Sequence, residues 1–415
     1  MKLLHAAACA MITTGLLQPK TAFAQTEAKP PDARQLAEIR EWLREVPVID
    51  GHNDLPWQYR KRGNDLSAID PTQDTRPLKL ETDFPRLRQG GVGGQFWSVY
   101  IPATMTGAIG VRGVLEQIDV VHRMVARYPE HLELALTAAD IERIHRSGKI
   151  ASLIGMEGGH SIDNSLAVLR MTYALGARYM TLTHVKSLDW ADAATDKPIS
   201  GGLSPLGEQI IGEMNRLGML VDLSHVSDAT MLHALRVTQA PVIFSHSSVR
   251  ALCNHPRNVP DEVIQKLPAN GGVLMVNFMP GYLTERGRVH SAARQAEEER
   301  LETLFPNDKT KVEAGLEEWK KNNPRPVGAT LQDVADHIDH VRKVAGINHV
   351  GIGADYEGFD GPPQGLEDVS TYPALLAELR VRGYGREEIQ KVAGLNILRV
   401  MRQAEAVAAR LQARK

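Results

Sequence analysis

Eight short runs dominated by apolar residues recur along the chain, and they constrain the fold more than any other feature. They are Pro47–Asp50, Gly94–Tyr100, Ala151–Met156, Tyr179–Thr183, Leu220–Leu223, Val242–Phe244, Gly272–Phe278 and His349–Gly353. Apolar residues fill consecutive positions in them rather than alternate ones, as parallel strands buried on both faces require. Val114–Tyr128, Ser165–Leu175, Pro205–Leu217, Asp228–Thr238 and Leu331–Ala345 lie between them and carry apolar residues at helical spacing. Eight strand–helix units predict an α/β fold closed into a (β/α)8 TIM-type barrel. An open doubly wound sheet is the competing architecture, but no Gly-rich phosphate loop follows the first run.

The 415 residues are long enough for such a barrel with insertions, and 43% hydrophobic and 24% charged residues at a formal charge of -2 offer nothing to nucleic acid. Residues 1–24 read as a signal peptide: Lys2 opens an apolar run from Leu3 to about Leu17, and Ala22-Phe23-Ala24 is a small-x-small cleavage site. Residues 25–45 then form a lead-in and a helix, and 46–415 one barrel domain. The run is too short for a bilayer and is followed by Lys20, so no stable membrane insertion is expected after cleavage. The mature protein is expected to be exported, to a periplasm or beyond. Once Cys9 leaves with the signal, Cys253 is the remaining cysteine, which excludes an intrachain disulfide and reads as a buried apolar filler. The stretch from about 281 to 325 breaks the rhythm: it is strongly charged and reads as a solvated helical insertion.

Chemistry-bearing residues cluster at the C-terminal ends of the runs, which a barrel opens onto a single face. The first run leads into Asp50-Gly51-His52-Asn53-Asp54, the third into Glu157, the fourth into His184, the fifth into His225, the sixth into His246 and the eighth into Asp355. Three imidazoles and two carboxylates, those of His52, Asp54, Glu157, His225 and His246, are donors that zinc accepts. A lone histidine at a strand end is more often structural, and Asp54 could instead cap the next segment. Five such residues on one rim weaken that reading jointly. His337 and His340, with Asp336 and Asp339 beside them, read as a solvated helix face, and His122, His160 and His255 are set aside.

Asp50-Gly51-His52-Asn53-Asp54-Leu55-Pro56, Gly94-Gln95-Phe96-Trp97-Ser98, Met156-Glu157-Gly158-Gly159-His160, Leu182-Thr183-His184, Asp222-Leu223-Ser224-His225-Val226-Ser227, Phe244-Ser245-His246-Ser247, Pro256-Arg257-Asn258-Val259-Pro260-Asp261 and Gly351-Ile352-Gly353-Ala354-Asp355-Tyr356 occur in that order. This ordered set resembles the signature of the membrane (renal) dipeptidases, a family of metallopeptidases, from about Val46 to Gly361. The resemblance implies a metallodipeptidase, an amidohydrolase-like barrel with two Zn2+ per chain. His52 and Asp54 would hold one, His225 and His246 the other, with Glu157 and a water or hydroxide bridging them. It further implies that His184 and Arg257 contact substrate and that Asp355 takes part in catalysis. The charged insertion has no place in the family pattern, and animal members carry disulfides and a C-terminal lipid anchor that Arg410–Lys415 does not announce.

On that implied site a bridging hydroxide would attack the scissile carbonyl, with His184 steadying the oxyanion and Asp355 passing the proton to the leaving amine. Arg257 offers a fork for the substrate's free carboxylate and Asp355 a partner for its ammonium, which together measure a dipeptide, including one with a C-terminal D-residue. For Arg257 the bland reading is an ion pair with Asp261. Trp57, Trp97, Tyr100 and Tyr282 are candidate pocket walls. An amidohydrolase of another small amide and a non-catalytic metal-binding protein are the rival readings, and a homodimer is left open.

Overall fold

All eight runs form strands, and they pair in parallel in chain order. In the computed structural model, which describes residues 32–306, 308–324 and 328–413, the strands are β1 Val48–Asn53, β2 Val92–Ser98, β3 Leu132–Leu134, β4 Ile150–Glu157, β5 Ala177–Thr181, β6 Leu220–Asp222, β7 Ile243–Ser247, β8 Val273–Val276 and β9 Val350–Ile352. The path runs β1-β2-β4-β5-β6-β7-β8-β9, and the unexpected β3, three residues long, pairs with β4 from outside it. The signal peptide read at residues 1–24 lies outside the described residues.

Strand β4 shows how the barrel divides its faces. Ala151 and Leu153 join one core cluster with Ile49, Phe96, Tyr179, Ile243 and Met275 from the other strands. Ile150, Ile154 and Met156 join the cluster shared with the surrounding helices. The two-residue period that turns Ala151 and Leu153 one way also turns Glu157 that way at the strand's C-terminal end. Ile397 and Met401 of the helix Asn396–Gln412 belong to the same inner cluster. Gly353 lets the strands approach across the barrel, because a Cβ there would stand 1.8 Å from the Ser245 carbonyl oxygen.

Closure between β1 and β9 has no ladder. It rests on the bridge Asn53–Tyr356, on backbone bonds from Asp54 N–H to Tyr356 O (2.9 Å) and from Asp355 N–H to His52 O (3.1 Å), and on one side chain. The Asp50 carboxylate accepts from Ala354 N–H (2.8 Å) in β9's extension, from Gln95 Nε2 (2.8 Å) in β2 and from the Tyr372 hydroxyl (3.1 Å). Burial pushes its carboxyl up to about 6 against the pull of those donors.

The helices Pro205–Leu217 and Leu331–Ala345 have the expected bounds. The helix read from Val114 begins instead at Gly107, because Gly110 and Gly113 hid its first turns from an apolar count. Those glycines face Met105 and Ile101 where a side chain has no room. The charged segment forms the helices Glu285–Leu304 and Lys309–Asn322, whose buried residues are Gly287, Leu301 and Leu316. Cys253 is buried and its thiol is pushed up to about 12 by burial, as suits a filler and not a nucleophile. Among the described residues no helix is long and apolar enough to cross a membrane.

His337 departs from the sequence reading. It is 1% exposed, accepts Val249 N–H at Nδ1 (2.9 Å) and donates from Nε2 to Leu283 O (3.0 Å), while His340 lies 2.8 Å from the Asp261 carboxylate. The helix is buried here because the base of the insertion folds over it. Burial lowers the His337 imidazole to about 4, whereas an unfolded histidine protonates near pH ~6.5. Between those values the unfolded chain binds the extra proton, so stability is retained above pH ~6.5 and falls as the pH drops toward 4, by up to about 3 kcal/mol. Urea unfolding of the wild-type chain and His337→Gln across this window is expected to show a pH slope shallower in the variant by about that amount; equal slopes would contradict the assignment.

Candidate metal centre

Side chains from β1, β4, β5, β6, β7 and β9 meet at the C-terminal rim around the carboxylate of Glu157. Its Oε1 lies 3.0 Å from His225 Nε2, 3.3 Å from His246 Nε2 and 3.7 Å from His184 Nε2. Its Oε2 faces the other way, 3.5 Å from His52 Nε2 and accepting from the Ser98 hydroxyl at 3.3 Å. His52 Nε2 is also 3.4 Å from Asp54 Oδ2 and 3.9 Å from Asp355 Oδ1. Donor atoms within 4.8 Å of one another form three groups: His52, Glu157 and His246; Glu157, His184 and His225; His52, Asp54 and Asp355. All five residues read as metal ligands therefore come together, with His184 and Asp355 beside them. The grouping differs from the expected pairing: His246 groups with His52, their ring centroids 3.9 Å apart against 5.0 Å to His225, and His225 groups with His184.

Two of these imidazoles are held in the neutral form that a cation needs. Burial drives the imidazoles of His225 and His246 well below the ordinary range, which keeps them neutral with lone pairs to give. Burial opposes ionisation of Glu157, yet the facing His52 and His184 outweigh it and hold the carboxyl well down. The Nε2 atoms of His225 and His246 are 2.9 Å apart and aim at the same carboxylate oxygen. Among the described residues, His52 Nε2, buried Asp54 Oδ1 and His225 Nδ1 have no hydrogen-bond partner. Such convergence of buried, under-satisfied donors is what a bound cation resolves. The capping alternative for Asp54 fails, since its side chain makes no cap bond at the helix Leu55–Arg60.

Local backbone strain accompanies the site. His225 and Asp355 adopt left-handed φ of +69° and +68°, costing roughly 1–3 kcal/mol each for non-glycine residues. His225 is held by a long loop that leaves β5 after His184 and returns over β6: its carbonyl accepts Ala194 N–H at 2.7 Å, and Ser227 N–H donates to Asp192 O at 2.9 Å. The Asp192 carboxylate pins that loop by accepting from the N–H groups of Ile199, Ser200 and Gly202 (2.6, 2.8 and 2.6 Å).

The remaining candidates divide. Arg257 is 1% exposed, donates to His246 O (3.2 Å) and Ser247 Oγ (3.4 Å), lies over the Tyr282 ring and leaves Nε unpartnered. It makes no ion pair with Asp261, so the bland reading fails. Trp57 and Tyr100 stack edge to face, and Tyr100 packs 5.0 Å from the His184 ring. Trp97 is wholly buried with its indole N–H on Ser152 Oγ, so it is core and not pocket wall. His160 is buried and lowered to about 4 by that burial. Sequence reasoning gave no role to Ser98, on Glu157 Oε2, nor to three further side chains that touch the rim residues. The Tyr179 hydroxyl donates to Gly51 O (3.1 Å) and meets His52 Nδ1 (2.8 Å). The Ser245 hydroxyl meets His246 Nδ1 (2.7 Å). Asn277 Nδ2 donates to Asp355 Oδ2 (2.9 Å). The one sequence signal for them is polar atoms inside apolar strand runs.

A model of the membrane dipeptidase family, Peptidase family M19, matches residues 36–415. The chain belongs to this family. Membrane dipeptidases of this type are metallopeptidases, so the enzyme is a metal-dependent hydrolase of dipeptidase class. The chain is 44% identical over 383 residues to Dipeptidase 3 of Mus musculus, covering 91% of this chain and 68% of that protein. It superposes on the probable dipeptidase PvdM from Pseudomonas aeruginosa with a TM-score of 0.78 at 25% identity, over 90% of this chain and 99% of that one. A metallopeptidase from Rhodobacter sphaeroides, liganded with a phosphinate mimic of the dipeptide L-Ala-D-Ala, shares the fold at a TM-score of 0.71 and 23% identity, over 87% of this chain and 99% of that one.

In this M19 dipeptidase Asp192 carries much of the loop that braces His225. Asp192→Ala leaves the three N–H groups without their carboxylate, at about 1–3 kcal/mol each where buried. Limited proteolysis is expected to cut the variant within residues 185–203 at least tenfold faster than wild type; equal rates would show that the loop is held by other contacts.

Proposed function

We propose that this dipeptidase hydrolyses small dipeptides, including those ending in a D-residue, with two zinc ions flanking Glu157. The observation that carries the reading is the orientation of Glu157, whose two oxygens face different imidazoles. His52 and Asp54 would hold one ion and His225 and His246 the other, with Glu157 between them. This all-nitrogen and oxygen donor set suits zinc. Bound there, the ions would supply an activated water and polarise the amide carbonyl.

The protein's own groups complete the reaction. His184, beside the site with its Nδ1 free of protein partners, steadies negative charge on the carbonyl oxygen. Burial, with Asp54 and Glu157 adding to it, raises the Asp355 carboxyl in the absence of cations; two adjacent ions would oppose that shift and keep Asp355 ionised, able to take a proton from the water and return it to the leaving amine. Asn277 fixes which oxygen of Asp355 faces His52. The buried Arg257 guanidinium receives the substrate carboxylate, with Tyr282 stacked against it. Support for a C-terminal D-residue comes from the Rhodobacter sphaeroides neighbour and its L-Ala-D-Ala mimic. Export is part of the proposal and rests on residues 1–24.

Hydrolysis of L,L and L,D dipeptides by the purified mature chain, with zinc content measured alongside, tests this. About two zincs per chain are expected, with turnover abolished by chelator. Asp355→Asn should lower kcat by 10²–10⁴ at unchanged zinc content, and Glu157→Gln should lose zinc. Zinc without dipeptide turnover, or turnover of substrates lacking both free termini, would overturn the proposal. Asn277→Ala is expected to lower kcat about tenfold with KM little changed; a change in KM alone would place Asn277 in substrate binding instead.

A further inference from the structure

Behind His246 lies a polar network at the ends of β5, β6 and β7 that the reaction does not use directly. Asp222, wholly buried, accepts at Oδ1 from the N–H groups of Ser224 (3.0 Å) and Ser245 (2.8 Å). At Oδ2 it accepts from the hydroxyls of Ser245 (2.6 Å) and Thr181. Four donors thus occupy both oxygens, and the carboxylate acts as acceptor alone.

This arrangement fixes a proton. The Ser245 hydroxyl has one hydrogen and three possible acceptors, Asp222 Oδ2 (2.6 Å), His246 Nδ1 (2.7 Å) and Ser224 Oγ (3.4 Å); donation to either of the latter two would leave two bare oxygens facing each other at 2.6 Å, so the hydrogen goes to the Asp222 carboxylate. With that hydrogen committed, Ser245 Oγ can only accept from His246 Nδ1, 2.7 Å distant. The Nδ1 of His246 must then carry the imidazole proton, which leaves Nε2 as a bare lone pair. Nε2 is the atom that faces Glu157 Oε1 at 3.3 Å. The backbone N–H of His246 is tied to the same cluster through Ser224 Oγ (3.0 Å), so the ring is held in tautomer and in place.

We propose that Asp222 and Ser245 are positioning residues that set the tautomer of His246 and thereby the affinity of one metal position. The proposal rests on the two-zinc reading above. Neither side chain touches the donors grouped around Glu157 except through His246.

Zinc affinity measured by chelator competition on the full purified chain, in wild type, Asp222→Asn, Ser245→Ala and Thr181→Val, tests it. Ser245→Ala and Asp222→Asn are expected to weaken one of the two zincs by ten- to a hundredfold and leave the other near wild type. Thr181→Val, which removes a donor from Asp222 but spares the Ser245–His246 contact, is expected to keep wild-type affinity even if it melts earlier. Ser245→Ala is the smaller change and keeps the test alive if Asp222→Asn does not fold. Wild-type zinc affinity in Ser245→Ala, or equal losses in Ser245→Ala and Thr181→Val, would overturn the proposal. A wild-type chain that binds no zinc would remove the functional reading itself. The side-chain ¹⁵N shifts of His246 then still report on the tautomer: Nδ1 protonated in wild type and mixed protonation in Ser245→Ala support the network, and mixed protonation in wild type overturns it.

Discussion

Glu157 carries a buried negative charge that, among the described residues, no lysine or arginine neutralises; its charged-group neighbours there within 4 Å are four histidines. A carboxylate in that position is expensive to desolvate unless cations complete its surroundings. The rest of the rim follows from this constraint. His225 and His246 are kept neutral by burial, His52 and Asp54 approach from β1, and two residues accept left-handed backbone so that their side chains reach the same point. The barrel supplies what a smaller fold could not, namely strand ends from all around a closed sheet aimed at one centre.

Much of this was legible in the sequence for one reason. Strands buried on both faces leave consecutive apolar residues, so each run marks its own C-terminal end, and polar residues there stand out. Glu157 after Ile150–Met156 and His246 after Ile243–Phe244 are visible in this way. The ordered motifs then singled out His52, His225 and His246 from ordinary strand-end histidines as the proposed ligands, which spacing alone could not do.

What escaped the sequence is set by contacts between distant residues. Asp222, Ser245, Tyr179 and Asn277 sit inside or beside apolar runs and show their purpose only where strands are neighbours. Asp50 is similar: it stands in for the missing β1–β9 ladder through Ala354, which lies 304 residues away. His337 read as solvated because the polar residues beside it on its helix were visible and the Leu283 carbonyl that covers it was not. The turns starting at Gly107 were hidden because close packing against Met105 and Ile101 selected glycine over the apolar residues that mark a helix.

Anomalous diffraction at the zinc absorption edge from crystals of the purified chain tests the central claim most directly. Two peaks about 3.5 Å apart, one on each side of the Glu157 carboxylate, are predicted. A single peak, or metal bound away from Glu157, would contradict the assignment of that residue as the bridge.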